Sequence, residues 1–361
     1  MLVKRRKFSI KKFALFIIVL IILGAVGFLG LYKLQTSPVS NNTEAITLTV
    51  DKGNNYFSIA ENLKDKNLIK SEFFYKIFLR LHKPSELVAG TYELNQSMSV
   101  AEIVETLGNQ DNVKDTSTKL TFREGLNARQ MAEVIEEDAG ISGDEFLAKI
   151  SDESYIDSLK EQYWFITDEV KNPEIYYDLE GYLFPDTYVF EKGELTLDNI
   201  LTKILDNTDA KLTPLRSVIE GSDYTVHQIL TLASLVELEA VTDSDRAEVA
   251  GVFYNRLNNG WSLGSDVTTY YAAGKSMTES LTKSELNDCN GYNTRCTSML
   301  GLPVGPIANP SLSAIEATVN PTKTDCYYFV ADSEKKVYFT RNANEHEAII
   351  NQLKEEGKWI G

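Results

Sequence analysis

The hydrophobic pattern opens with one long apolar run. Phe13 to Tyr32 holds twenty residues without a charge, enough to cross a hydrocarbon core of about 30 Å as a helix. A cleaved signal peptide is the alternative, but its apolar run is typically about 7–15 residues long and ends at a small-residue cleavage site. Here the run continues into Lys33 and Leu34 without such a site. The pattern therefore predicts an uncleaved transmembrane helix at residues 13–32.

After a polar linker at residues 33–44, short elements alternate. Alternating β-branched residues predict a strand, helical spacing predicts two helices, and a second strand and a short helix follow. These elements are expected at residues 46–50, 56–68, 71–81, 88–94 and 99–107. The βαα pattern of residues 45–118 resembles the LysM-type glycan-binding module. No residue in it identifies a ligand, and plain structural packing is the alternative.

The same pattern recurs 72 residues later. Leu48-Thr49-Val50 with Gly53 aligns with Leu120-Thr121-Phe122 with Gly125, and the apolar positions of the following helices align as well. One duplicated unit is a weak repeat signal. It predicts a second βαα unit with a connector at residues 119–172, followed by a larger domain at residues 173–361.

The most informative segment is Thr225 to Glu239, which is predicted to form a helix that is apolar nearly all round and therefore buried. At 100° per residue, Glu237 falls beside Leu230 and Ala233, so we expect its side chain on the apolar side. A carboxyl group in such surroundings resists ionisation, as a general acid requires. The alternatives are a buried Glu237 paired with Arg246 or Arg256, or a carboxylate exposed at the helix end.

A second amphipathic helix is predicted at residues 246–258, and strands at 326–331 and 337–340. Between them, a polar segment around Asp266, the tripeptide Tyr292-Asn293-Thr294 and a rigid apolar loop at 301–310 follow one another. Together with the two βαα units, these elements predict an α+β fold with a mixed, helix-rich C-terminal domain.

Charge sets the expected compartment. The chain carries a formal net charge of −16, and the first twelve residues contain six basic ones, so the remaining 349 residues carry −22. An acidic balance of this size argues against nucleic acid as a partner. A basic flank stays on the cytoplasmic side, so residues 1–12 are expected there and everything after the helix outside the membrane.

Cysteine and histidine are sparse. The three cysteines and three histidines show no metal-ligand spacing, so no metal is expected. Cys289 and Cys296 bracket a short turn-rich loop, and a local disulfide between them is a hypothesis for an oxidising compartment. Cys326 would then remain unpaired.

The motifs, taken in order, resemble one family. Leu-Glu-Gly-x-Leu-Phe-Pro-Asp-Thr-Tyr at 179–188, Leu-Ala-Ser-Leu-Val-Glu-x-Glu at 232–239, Val-Phe-x-Asn-Arg-Leu at 252–257, Tyr-Asn-Thr at 292–294 and Gly-Leu-Pro-x-Gly-Pro-Ile at 301–307 follow a membrane anchor. This combination is similar to the MltG-type (YceG-like) endolytic murein transglycosylases. The sequence departs from the family pattern at Leu238, Ala240 and Val267. None of these positions is the catalytic acid, so the departures concern details of the substrate groove.

The resemblance implies an anchored enzyme that cleaves the MurNAc-β-1,4-GlcNAc bond within peptidoglycan strands and leaves 1,6-anhydroMurNAc ends. The catalytic acid of the family maps onto Glu237. Asp186, Glu239, Asp266, Tyr292 and Asn293 are the residues expected to bind the sugar. No cofactor is implied, and the implied partners are glycan strands and the penicillin-binding proteins of the elongation or division machinery. The alternative function is a non-catalytic glycan-binding scaffold of that machinery.

Overall fold

The apolar run forms a single long helix, α1 (Ile10–Thr36), in the computed structural model of the chain. The structure describes residues 10–359 except Thr116, Lys192 and Val241. Most of the predicted basic flank, residues 1–9, lies outside the described residues. The segment Phe13–Thr36 has the length and composition of a membrane-spanning helix. Its apolar side chains are exposed, as expected for a helix surrounded by lipid.

The described chain divides into two compact units, at Met1–Thr116 and Ser117–Gly361. In the first unit, two antiparallel strands pair from Ile46↔Leu94 to Val50↔Gly90, and helices pack on one side of them. Alternate strand residues, among them Leu48 and Tyr92, enter the core. The elements after α1 are β1 (Ile46–Val50), α2 (Ala60–Asp65), α3 (Glu72–His82), β2 (Gly90–Leu94) and α4 (Val100–Leu107).

The helix predicted at residues 56–68 is shorter than its apolar spacing indicated. The side chain of Asn55 accepts hydrogen bonds from the backbone N–H groups of Phe57 and Ser58, which forms a turn where the helix was expected to begin. At the other end, Asn67 adopts a positive φ of 54°, which a helix cannot continue. Local side-chain hydrogen bonds therefore override the periodicity here.

The second unit begins with β3 (Thr118–Thr121), which pairs antiparallel with the distant β4 (Thr187–Phe190). Helices lie between and after these strands, and a β5–β6 hairpin with a final helix ends the unit. Its remaining elements are α5 (Ala128–Val134), α6 (Gly143–Lys149), α7 (Glu153–Lys160), α8 (Leu197–Leu212), α9 (Arg216–Glu220), α10 (Val226–Glu239), α11 (Asp243–Asn258), α12 (Asp266–Ala273), α13 (Lys283–Leu286), α14 (Leu312–Val319), β5 (Tyr328–Ala331), β6 (Val337–Thr340) and α15 (Ala343–Glu355).

Two hydrophobic clusters hold the second unit together. One extends from Leu120 to Ala233 and includes Ile315, and the other surrounds Leu235, Phe253 and Tyr271. The predicted boundary between residues 172 and 173 therefore falls inside one core rather than between two. The mixed α and β composition agrees with the predicted fold class. Glycan binding by a LysM-like module stays a prediction.

Candidate active site

Helix α10 is the central element of the second unit. Thr225 caps its first turn, and the side-chain oxygen of Gln228 accepts a hydrogen bond from the Thr225 backbone N–H, which completes a capping box. Apolar residues surround the helix, so Ile229 and Ala233 belong to one hydrophobic cluster while Leu235 belongs to the other. Its last turn carries Glu237 and Glu239. The helix is buried as far as Val236, which fixes its position and thereby the directions of these two carboxyl groups.

The Glu237 side chain is only 7% exposed, and both of its oxygens accept hydrogen bonds. Nη2 of Arg246 lies 3.0 Å from Oε1, and the backbone N–H of Ser311 donates to Oε2 at 2.9 Å. The Ser311 hydroxyl donates to Oε2 as well. The expectation of an apolar environment is therefore wrong, and the alternative of a buried glutamate paired with Arg246 describes the structure.

The elements that flank α10 explain this environment. Ser311 is the N-cap of α14, so its backbone N–H and hydroxyl stand at the positive end of that helix. Arg246 lies in the first turn of α11 and also donates to Asp243 and Ser313. Apolar spacing within α10 could not reveal donors that come from other elements.

A turn from the start of the second unit covers Glu237. Gly125 has a φ of +76°, and a Cβ added there would lie 3.2 Å from Cδ2 of Leu238 and 3.6 Å from Cγ of Glu237. Burial raises the pKa of Glu124, and the negative charge of Glu237 raises it further, while Arg246 acts in the opposite direction. Glu124 was missed at the sequence level, although the repeat had singled out the glycine beside it.

Glu180 is a second residue that sequence reasoning missed. Its carboxylate is buried and accepts hydrogen bonds from the N–H of Ala128 at 3.0 and 2.9 Å, the hydroxyl of Tyr271 at 3.1 Å and Nδ2 of Asn309 at 3.3 Å. Burial raises its pKa to about 7, against these hydrogen bonds. A charged residue inside the aromatic motif at 179–188 was the available signal.

Glu180 connects the two segments that hold Glu237. Asn309, which donates to Glu180, exchanges backbone hydrogen bonds with Gly125 and Leu126, and it precedes Ser311 by two residues. The Gly125 turn and the Ser311 cap are thus fixed to one buried carboxylate.

Glu239 points away from Glu237, as the angle between positions two residues apart on a helix requires. The hydroxyl of Ser265 donates to its Oε1 at 2.5 Å. Burial raises the pKa of Glu239, and the charge of Asp266 adds to the effect. Glu239 and Asp266 line one cavity of about 350 Å³, at the small end for a ligand site. Its other lining residues include Arg256, Arg295, Phe329, His346 and Trp359.

The other predicted sugar-binding residues lie in different surroundings. Asp266 is exposed and forms an ion pair with Arg295 at the cavity. Asp186 is exposed at the start of β4, where its Oδ2 accepts a hydrogen bond from Asn207 at 3.1 Å. Glu239 and Asp266 are therefore brought together, whereas Glu237 and Asp186 do not line their cavity.

Tyr292 and Asn293 are buried, with exposures of 1% and 0%. The hydroxyl of Tyr292 accepts a hydrogen bond from the N–H of Tyr176, and Nδ2 of Asn293 donates to the carbonyl of Asp288 at 2.7 Å. In this arrangement neither side chain can contact a sugar, which corrects the expectation. Both instead support the loop that the Cys289–Cys296 disulfide closes, and Cys326 is free.

The motifs and this geometry can be compared with known proteins. The model of the YceG-like family matches residues 48–352. The chain belongs to the YceG-like family.

Relatives of this YceG-like chain carry a consistent description. A Bacillus subtilis protein named endolytic murein transglycosylase is 34% identical over 326 residues, which cover 90% of this chain and 88% of that protein. A Streptococcus pneumoniae protein of the same name is 34% identical and matches 93% of this chain, which spans 64% of that protein's length. The crystal structure of a YceG-like protein from Listeria monocytogenes superposes with a TM-score of 0.61 at 32% identity, over 85% of this chain and 100% of that one.

Proposed function

We propose that the chain is a membrane-anchored endolytic murein transglycosylase with Glu237 as its catalytic acid and base. The observation that carries the proposal is a nearly buried carboxyl group at the end of α10, in a member of a family whose relatives carry that name. The substrate is the glycan strand of peptidoglycan. The bond is the β-1,4 linkage from N-acetylmuramic acid to N-acetylglucosamine.

The proposed reaction needs no water. Glu237 gives a proton to the departing O4 of N-acetylglucosamine as the bond to C1 of the muramic residue breaks. The C6 hydroxyl of the same muramic residue then bonds to C1, and its proton passes to the Glu237 carboxylate. The products are a free O4 hydroxyl and a 1,6-anhydro end. One carboxylate can suffice because an internal hydroxyl takes the place of the water or the second carboxylate of ordinary glycosidases.

The contacts of Glu237 assign different tasks to its two oxygens. Oε2 accepts two hydrogen bonds from Ser311, which fix the carboxyl group. Within the described part of the chain, Oε1 accepts a hydrogen bond from Arg246 alone. The proton transfer therefore runs through Oε1, and Arg246 must leave Oε1 when the glycan oxygen arrives. The exposed carboxylate of Asp243, already a partner of Arg246, can retain the guanidinium.

Glu239 and Asp266 are proposed to bind one sugar unit in their cavity, together with the aromatic side chains of Phe329 and Trp359. Hydrogen-bonding carboxyl groups beside aromatic faces suit a sugar ring. Asp186 is proposed to contact the strand outside this cavity. Tyr292 and Asn293 are proposed to support the loop rather than touch the glycan.

The test uses the full-length protein in detergent with purified sacculi, and mass spectrometry of the soluble products. We expect anhydro ends from the wild type and at least a hundredfold less product from Glu237→Gln, because the amide cannot donate or accept the proton. Glu316→Gln, at an exposed position of α14, is the matched control and should keep wild-type activity. Reducing ends in place of anhydro ends would contradict the mechanism.

The Arg246–Glu237 ion pair also favours the second candidate, a glycan-binding scaffold in which Glu237 has a structural role. That function predicts no cleavage by the wild type and sacculus binding that survives Glu237→Gln. The same assay, with a pull-down on insoluble sacculi, separates the two. Binding to penicillin-binding proteins stays a prediction from the family resemblance.

A further inference from the structure

Helix α3 has two apolar faces, and only one of them lies in the core of the first unit. Tyr75, Phe78 and Leu79 belong to that core, and Phe74 is buried outside it. Phe73, Ile77 and Leu81 follow one another at intervals of four residues, which places them on one side of the helix. Phe73 is 64% exposed and Leu81 is 66% exposed. We refer to Phe73, Ile77 and Leu81 as the α3 stripe.

The same helix contacts the membrane-spanning candidate α1. The ring of Phe74 lies 6.0 Å from the ring of Phe28 and 6.4 Å from that of Tyr32, measured between centroids. Just before α3, Nζ of Lys70 donates to the carbonyl of Leu34 at 3.1 Å and to the hydroxyl of Ser37 at 2.8 Å. These contacts fix where α3 stands along α1.

That position is at the edge of the hydrocarbon. Phe28 precedes Tyr32, the last residue of the uncharged run, by four residues. At a rise of 1.5 Å per residue, Phe28 lies about 6 Å inside the end of that run. When α1 spans a bilayer, the start of α3 is therefore level with the boundary between acyl chains and headgroups. Phe73 adjoins Phe74 there, with 5.3 Å between the ring centroids.

The charges near the α3 stripe suit an anionic surface. Lys76 and Arg80 lie on α3, and Lys70 and Lys83 stand at its two ends. Glu72 offsets one of them, since it pairs with Lys76 at 2.8 Å. An amphipathic helix with exposed aromatic and leucine side chains and flanking basic residues is the usual form of an interfacial helix. Basic residues near the surface add attraction to anionic lipid.

We infer that α3 is a second membrane contact, which lies in the outer headgroup layer with Phe73, Ile77 and Leu81 inserted toward the acyl chains of the bilayer that α1 crosses. The partner is anionic lipid. The inference rests on the proposed membrane anchoring. Two contacts rather than one would hold the first unit against the membrane instead of leaving it on a free linker.

The test places an environment-sensitive fluorophore on single cysteines of the full-length protein in vesicles that contain phosphatidylglycerol. The background is Cys326→Ser, because Cys289 and Cys296 form a disulfide. The emission of labels at Phe73→Cys and Leu81→Cys should shift to the blue. Lipids that carry a quencher near the headgroup should lower its intensity at least twofold. Both positions are exposed, so the substitutions leave the core of the unit intact.

Two matched positions control the measurement. The linker after α1 contacts the first unit where the N–H of Ser40 donates to the carbonyl of Gln96, and β1 leads away from this contact. Lys52 lies in the turn after β1. A label at Lys52→Cys should therefore show little quenching. Leu23→Cys, inside α1, should be quenched by lipids labelled deep in the acyl chain. If the Leu23 label is not quenched, the anchoring itself fails.

Quenching at Leu23 with a Phe73 label that behaves like Lys52 would overturn the α3 inference alone. A blue shift of the Phe73 label that depends on protein density, without quenching by the labelled lipids, would assign the α3 stripe to a second copy of the chain. This result would also overturn the α3 inference. Weaker quenching at Phe73 in zwitterionic vesicles would support the contribution of the basic residues.

Discussion

At the scale of single residues, three acidic side chains of the second unit differ in what surrounds them. Glu237 accepts hydrogen bonds from the guanidinium of Arg246 and from Ser311 at a helix N-cap. Glu239 accepts a hydrogen bond from the hydroxyl of Ser265 beside a cavity. Glu180 is buried, and the donors to it among the described residues are all neutral. Arg129 is the cation that acts on Glu180 through its charge, and it lowers the pKa less than burial raises it. The hydrogen bonds of Glu180 therefore do not offset the cost of burying its charge.

This cost predicts a pH dependence of folding. Burial raises the pKa of Glu180 from 4.5 to about 7, so between these values the folded state binds more protons than the unfolded state. The contribution of Glu180 to the free energy of unfolding is therefore largest below pH 4.5 and decreases as the pH rises through about 7. At 1.36 kcal/mol per unit, the loss is on the order of 3 kcal/mol.

Glu180→Gln cannot ionise and should remove this decrease. Urea unfolding of the full-length protein in detergent, between about pH 5 and pH 8, should show a flatter pH dependence for the variant than for the wild type. The exposed Glu316→Gln should keep the wild-type dependence. Equal slopes for the wild type and Glu180→Gln would show that Glu180 is ionised throughout this range.

The sequence predicted some of these residues and missed others for a physical reason. The position of Glu237 on a buried helix followed from periodicity within α10, and Arg246 was named as an alternative partner from its nearness in the chain. Ser311 and Asn309 reach Glu237 and Glu180 from more than 70 residues away, and no local pattern contains such contacts. Tyr292 and Asn293 were expected at the sugar because polar and aromatic residues resemble a binding segment whether they face a ligand or a core.

At the scale of elements, the helix-capping residues were predicted correctly, whereas the strand pairings were not predicted. Ser71, Ser99 and Thr225 cap the helices that follow them, as serine and threonine before an apolar run predict. The partner of β3 was not predicted, because β4 follows 66 residues later and strand pairing depends on the whole unit. The β3–β4 pairing is what merges the predicted second βαα unit with the following domain.

The disulfide loop is an element whose contribution can be measured. Cys289 and Cys296 close a loop with a sequence separation of 7, which contains Tyr292 and Asn293. Chain entropy for a loop of this length corresponds to about 2.5 kcal/mol of stabilisation. Cys289→Ser with Cys296→Ser should therefore lower the free energy of unfolding by about 2 kcal/mol.

The measurement is urea unfolding in detergent, with Cys326→Ser as the control that removes a thiol but no crosslink. The activity of the double variant on sacculi should fall further than its stability explains, because Asn293 fixes the backbone next to Arg295, the ion-pair partner of Asp266. Unchanged stability in the double variant would mean that packing of Tyr292 alone holds the loop.

At the scale of the whole molecule, the residues before the apolar helix are basic, and the rest of the chain is acidic overall. Six basic residues lie among the first twelve, while the remaining 349 residues carry −22. Basic residues next to a membrane span are retained in the cytoplasm, and an acidic domain of this size is translocated largely regardless of its charge. A peptidoglycan substrate requires the same orientation, because the second unit must face the cell wall. Charge and proposed function thus predict one topology independently.

The topology can be tested in intact cells with a membrane-impermeant maleimide. In the Cys326→Ser background, Met277→Cys lies at an exposed position of the second unit, 56% exposed in the structure, and should be labelled without lysis. Lys4→Cys, in the basic flank, should be labelled only after the membrane is opened. The reverse pattern would put the second unit in the cytoplasm, where it has no glycan to cleave, and the proposed function would fail with the topology. Labelling of Met277→Cys in the culture medium rather than on cells would instead show that the apolar run is cleaved as a signal peptide, and would remove α1 from the mature protein.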